Sequence, residues 1–180
     1  VGEILSSYLH FIILLFLFFT IKSFHMIQLS TSGAKLIEQF EKYVEKAYID
    51  EAGYLTYGYG SRFKADGSPV LHGDSISQPD AQLLLISNAN RFGAEVSKFI
   101  KVTLNQNRQD SLLSLIYNIG PENFEVSTLL RTLNANQEDP AITHWFLVWD
   151  KDHQGGILVE SAGLLARRTQ EAKLWWKPVA

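Results

Sequence analysis

Ile37-Glu-Gln-Phe-Glu41-Lys-Tyr-Val-Glu-Lys46-Ala-Tyr-Ile-Asp50-Glu-Ala-Gly53-Tyr-Leu-Thr56-Tyr-Gly-Tyr-Gly60 changes its period partway along. In the first part, Leu36, Ile37, Phe40, Tyr43 and Val44 share one arc of a helical wheel, with Glu38, Lys42 and Glu45 opposite. Glu38 and Lys42 are spaced for an i,i+4 pair. Residues 48–53 then read as a turn, and Tyr54–Gly60 reads as a strand rich in aromatics. Three polar side chains stand out. Glu41 lies at the border of the apolar arc, Asp50 in the turn and Thr56 on the strand.

Outward from this stretch the chain stays organised. Leu29-Ser-Thr-Ser32 offers several N-caps, with Ser32 the expected one. Asp66-Gly67 and Gly73-Asp74 mark turns, so residues 54–72 are expected to form a small antiparallel sheet. Ser77-Gln-Pro-Asp80 opens a helix expected to reach about Phe99. A second helix runs from about Arg108 to Ile119 and stops at Gly120-Pro121. Helical patterns also cover Val126–Asn134, Pro140–Trp149 and Gly163–Trp176. The fold class expected is α+β: a small lobe over about 32–76 with a short sheet, then a larger helical lobe over about 77–180.

Composition narrows the chemistry. The net charge of −3 gives no general attraction to nucleic acid, and no nucleic-acid partner is expected. Without cysteine there is no disulfide, thiolate nucleophile or Cys-based zinc site. His72, His144 and His153 lack metal-ligand spacing, so neither a metal nor a cofactor is expected. Trp145, Trp149, Trp175 and Trp176 lie in helical patterns with apolar neighbours, where core roles are the rule.

The N-terminal segment reads differently. Phe11–Phe19, continued by Thr20-Ile21, is uninterrupted hydrophobic sequence, but it lacks the basic leader and small-residue cleavage site of a secretory signal. Met26 is the only methionine, and residues 3–32 contain neither Ala nor Gly. That composition fits translated AT-rich DNA upstream of a gene and places the start of the working domain at Met26, giving segments 1–25 and 26–180. A membrane anchor is the other reading, and membrane contact is expected only if residues 1–25 belong to the native protein.

Hydrolysis of a glycosidic bond needs one carboxyl that is protonated and another that is ionised. Glu41, beside apolar side chains near a helix C-terminus, is suited to the acid. Asp50 lies in a polar turn where backbone N–H groups can hold a carboxylate, and the Thr56 hydroxyl can hold a water. On their own these are the residues of a solvated helix edge and a turn.

The spacing Glu41-x8-Asp50-x5-Thr56, with Tyr57-Gly-Tyr-Gly60 after it, resembles the active-site region of the phage-type lysozymes, glycoside hydrolase family 24. Leu104–Leu113, Tyr117-Asn-Ile-Gly120, Ser127–Leu130 and Gly163–Glu171 resemble its later segments in the right order, so the likeness covers about residues 28–176. It implies a lysozyme-like fold, a general acid at Glu41, and water held by Asp50 and Thr56. The bond implied is the β-1,4 link between N-acetylmuramic acid and N-acetylglucosamine in peptidoglycan, cleaved with inversion. Asn118 matches a position that contacts substrate, though a helix-capping role fits its place equally. Arg167 and Arg168 are expected to form ion pairs behind the cleft.

Two positions depart from the family pattern. Ser61 stands where histidine is usual, and Lys42 follows Glu41 where glycine is common, pointing away on the wheel. The function expected is an endolysin that lyses the host cell, a monomer held in the host cytoplasm until a holin assists its release to the wall. A lytic transglycosylase and a membrane-tethered, non-hydrolytic wall-binding module are the alternatives. The Asp50–Thr56 pair argues for water and against the transglycosylase.

Overall fold

The computed structural model describes residues 26–50, 53–154 and 157–179; the hydrophobic segment at 1–25 lies outside the described residues. No helix among the described residues is long and apolar enough to cross a membrane. The order of elements is α1 (Thr31–Phe40), β1 (Val44–Ile49), β2 (Leu55–Gly58), α2 (Gln78–Ser97), α3 (Gln106–Ile119), α4 (Pro121–Glu125), α5 (Thr128–Ala135), α6 (Ala141–Leu147), β3 (Lys151–Gln154), β4 (Ile157–Glu160) and α7 (Ala162–Trp175). This is the expected α+β arrangement, with two small antiparallel two-stranded sheets and a larger helical body.

Helix α1 starts and stops earlier than its apolar arc. Ser30 is its N-cap, not Ser32: the Ser30 Oγ accepts from the Gly33 N–H at 3.1 Å and donates to Asp110 Oδ2 at 2.5 Å. Asp110 on α3 thus selects among the hydroxyls, a choice made by tertiary contact. At the other end Glu41 turns extended (φ −96°, ψ 115°) and donates its N–H to Ile37 O at 2.9 Å. Tyr43 and Val44 therefore leave the helix, and Lys42 is not placed for the pair with Glu38, which accepts instead from Gln82 at 3.2 Å.

What draws 44–49 out of the helix is pairing on both sides. β1 meets β2 antiparallel, with Tyr48 opposite Thr56 and Ile49 opposite Leu55. Its other edge meets residues 74–76: Ala47 N–H donates to Asp74 O at 2.9 Å, and Ile76 N–H donates to Glu45 O at 3.0 Å. Tyr43 donates its hydroxyl to Ile76 O at 2.8 Å. The sheet expected over 54–72 is thus built mainly from the residues before the turn. Within residues 59–72 the pairing is reduced to the bridges Tyr57–Ser61 and Phe63–Pro69.

The remaining helices follow their signals closely. Ser77 caps α2 with Pro79 in its first turn, Asn105 caps α3, and Gly120 (φ 85°) ends α3. Helix α4 and the β3–β4 hairpin form where no element was expected.

The main core is formed by helix faces. Leu112, Leu113, Leu115 and Ile116 of α3 meet Ile37, Ala89, Phe124, Leu133, Phe146 and Trp175, all fully buried or nearly so. Ile27 and Leu29 join this core from the segment before α1. A smaller cluster of Tyr57, Val70 and Leu84 seats the sheet against α2.

Two outcomes follow. A Cβ at Gly93 would lie 2.4 Å from Ile27 O, so Gly93→Ala must push the 27–29 segment off α2. Such overpacking costs about 1–3 kcal/mol and will lower the thermal midpoint followed by circular dichroism. The second concerns acid. Lys64, at 2.8 Å, and then the Leu71 N–H hold the Asp74 carboxyl below its ordinary value of 3.8. The stability this confers is present above that value and is lost as pH falls through the lower folded-state value. Asp74→Asn will therefore destabilise the protein at neutral pH, and the difference will shrink as pH falls below the ordinary aspartate value in parallel denaturant titrations.

Candidate active site

Glu41 is placed by α1 and held by α7. Its Oε1 accepts from Arg167 Nη1 at 2.6 Å, and its side chain is 24% exposed against 3% for Arg167. Its other oxygen, Oε2, faces Gly60, where even a Cβ would stand 4.0 Å away. Apolar side chains and the negative end of a helix are what the sequence places around this carboxyl. The structure supplies a buried cation as its direct partner, and the ion pairs expected of Arg167 and Arg168 form, with that of Arg167 reaching Glu41 itself. Lys42 is exposed.

Arg167 belongs to a larger buried set. Its Nε donates to Glu171 Oε1 at 3.1 Å and its Nη2 to Ser114 O at 2.9 Å. Arg168 Nη1 donates to Glu171 Oε2 at 2.5 Å, its Nε donates to Trp149 O at 3.0 Å, and its Nη2 donates to Asn118 Oδ1. Ser114 completes Glu171 through a 2.6 Å hydrogen bond to Oε1. Two guanidiniums thus share two carboxyl groups, those of Glu41 and Glu171. Burial pushes the Arg168 guanidinium down from its ordinary value, and Glu171 opposes that shift.

Tyr117 closes the inner wall, donating its hydroxyl to Tyr59 O at 2.9 Å. Burial, and then the charge of Glu41, raise its phenol above the ordinary value, with Arg167 opposing.

Asp50 and Thr56 are positioned by the hairpin. The Asp50 N–H donates to Tyr54 O at 2.8 Å, and the Tyr54 N–H returns to Asp50 Oδ1 at 2.8 Å. Asp50 Oδ2 lies 3.3 Å from Arg62 Nη2. Thr56, 1% exposed, lies two residues past Tyr54 with its hydroxyl 3.5 Å from Tyr48 O, a long contact. Asp50 and Thr56 therefore share one hairpin end, while Glu41 arrives from α1.

A cavity of about 610 Å³ runs from Gly60, Ser61 and Arg62 across Asn88, Arg91 and Phe92 to Tyr117, Asn118 and Glu122. Glu41, Asp50 and Thr56 do not line it themselves; Glu41 lies beside its Gly60 and Asp50 is paired with its Arg62, while Thr56 and its strand stay outside the lining. Asn118 lines it directly, and the hydrogen bond from Arg168 to Oδ1 turns the amide NH₂ group to the other side. Gly120, not Asn118, is the cap of α3. Ser61, at the histidine position, donates to Phe63 O at 2.7 Å and accepts from Asn88 at 3.0 Å, a neutral tie between hairpin and α2.

Sequence reasoning missed Arg62, Ser114 and Glu171. The i,i+4 spacing of Arg167 and Glu171 is a readable signal for the last. Nothing local marks Arg62 as a partner of Asp50.

Comparisons with known proteins place the chain among the phage lysozymes. The family model described as Phage lysozyme matches residues 38–171. An endolysin of Salmonella phage P22 is 35% identical over 150 residues, covering 83% of this chain and 99% of that protein. Among solved structures, an endolysin from Escherichia coli O157:H7 phage FAHEc1 superposes with a TM-score of 0.76 at 37% identity, over 86% of this chain and 96% of the other. The muramidase domain of SpmX from Asticaccaulis excentricus does so at 0.73 and 27% identity, over 84% and 99%.

Removing Glu171 leaves two buried guanidiniums with one carboxylate. Glu171→Ala will cost about 3–5 kcal/mol in denaturant unfolding, the range for breaking a buried ion pair from one side. A loss below about 1 kcal/mol would show that the cluster is not what holds α7 to α3.

Proposed function

The chain belongs to the phage lysozyme family, and on that premise we propose that Glu41, Asp50 and Thr56 divide the hydrolysis of a glycosidic bond between them. The protein is a glycoside hydrolase of the endolysin type, a muramidase that acts on bacterial peptidoglycan. The bond is the β-1,4 link between N-acetylmuramic acid and N-acetylglucosamine.

The observation that carries this reading is the different support given to the two carboxyl groups. Glu41 Oε1 is fixed by Arg167 while Oε2 lies on the Gly60 side, toward the cavity that Gly60 lines. Oε2 is therefore the oxygen that delivers a proton to the leaving sugar oxygen. Asp50 is held by the hairpin, with a backbone N–H on one oxygen and Arg62 on the other. A carboxylate so placed accepts one hydrogen of a water whose other hydrogen is accepted by a lone pair of the Thr56 hydroxyl, which leaves the water oxygen's own lone pairs free to attack. The water's oxygen bonds to the anomeric carbon as the bond to the leaving oxygen breaks. Attack on the face opposite the acid inverts the anomeric centre. Asn118, through its NH₂ group, grips an acceptor group of the sugar strand.

The working domain spans residues 26–180. It acts as a monomer on the wall after release from the host cytoplasm, with a holin opening the way. A lytic transglycosylase would need no held water, and the Asp50–Thr56 end of the hairpin favours hydrolysis over that reading.

The test is digestion of purified cell wall by protein beginning at Met26, with mass spectrometry of the soluble fragments. Reducing muramic ends are expected. Anhydro ends would make the protein a transglycosylase, and binding without fragments would make it a wall-binding module. Glu41→Gln is expected to abolish fragment release while keeping a folded spectrum, and full activity in that variant would overturn the role of Glu41.

A further inference from the structure

Arg62 stands where two cavities meet, and we propose that it is the positioning residue that sets the plane of the Asp50 carboxylate for hydrolysis. The inference rests on the reading of Asp50 as the group that takes the water proton.

Its contacts form a closed set. The Arg62 main chain is pinned by the Val70 N–H, which donates to Arg62 O at 3.0 Å. From there the side chain returns across the Tyr54 ring, with its Cζ 3.8 Å from the ring centroid, and reaches Asp50 Oδ2 at 3.3 Å. The N–H of the same Tyr54 holds Asp50 Oδ1 at 2.8 Å. With the Tyr54 donor alone, the carboxylate could still turn about its Cβ–Cγ bond. A second donor on the other oxygen fixes its plane. Stacking on Tyr54 in turn holds the guanidinium, a preference of arginine over lysine for aromatic faces.

The location adds a second argument. Arg62 and Phe63 line both the cavity of about 610 Å³ and a neighbouring one of about 470 Å³ that includes Tyr54 and His72. Asp50 therefore meets its cation at the junction between them, where a sugar strand occupying both would pass. The Arg62 side chain is 45% exposed, so its replacement leaves the core untouched.

The experiment measures turnover of soluble linear strands of alternating N-acetylglucosamine and N-acetylmuramic acid, counting new reducing ends. Arg62→Gln is expected to lower kcat about two- to fivefold, the range an exposed ion pair supports, with KM and the thermal midpoint unchanged. Arg62→Lys is expected to restore part of the loss, since it returns the charge without the planar stack. About 0.5 M salt is expected to narrow the gap between the native chain and Arg62→Gln by screening the pair.

A rise in KM alone would make Arg62 a substrate anchor, a rise in kcat would make it a latch over the water site, and no change would make it a surface pair. Each of these overturns the proposal. Asp50→Asn, measured alongside, separates the two readings. If it turns over like the native chain, the role of Asp50 falls. If it is slow while both Arg62 variants match the native chain, only the role of Arg62 falls.

Discussion

The buried carboxylate of Glu171, clasped by Arg167 and Arg168, is the interaction on which the site depends. Its components cannot be placed in the core singly, because an unpaired ion there costs several kcal/mol. They are tolerated together because each oxygen of Glu171 meets a guanidinium and Ser114 adds a further donor. Complete satisfaction of Glu171 makes the cluster directional. It leaves one guanidinium nitrogen for Glu41 and another for Asn118. The last long helix of the chain thereby orients both the acid and a cleft-lining amide.

The second half of the site is built on different principles. Asp50 and Thr56 owe their positions to a short hairpin, in which hydrogen bonds from the main chain do most of the holding. This hairpin is tied to the helical body by Tyr117 reaching Tyr59 O, by Asn88 reaching Ser61, and by the small cluster around Tyr57, Val70 and Leu84. Acid and water-holding carboxylate thus sit on separately supported carriers. Gly60, with φ +81°, lies where the two carriers meet, and its lack of a side chain leaves space in front of Glu41.

Much of this was legible before folding. The helix stops and caps at Ser77 and Gly120 are local chemistry, and they stand where the residues say they should. The spacing of Glu41, Asp50 and Thr56 carries the family likeness. The failures are equally specific. The apolar arc of α1 ran on into Tyr43 and Val44, because helical and strand periods can both be read into so short a stretch. Pairing with 55–58 and with 74–76 settled the matter for the strand. Ser32 was as good a cap as Ser30 by type, and Asp110, 80 residues away from Ser30 in sequence, chose between them.

The sequence by itself determined the fold class, the order of the helices other than α4 and, through the family likeness, which three side chains are the catalytic candidates. The first two follow from local propensity, which needs no distant partner, and the third from a spacing matched to a known family. Only the tertiary structure decided what each of those side chains touches. It gave Glu41 a cation where the wheel showed apolar neighbours, and it gave Asp50 the guanidinium of Arg62. The reason is electrostatic. Charge pairs act over a few ångströms in space, and Glu41 and Arg167 are 126 residues apart along the chain.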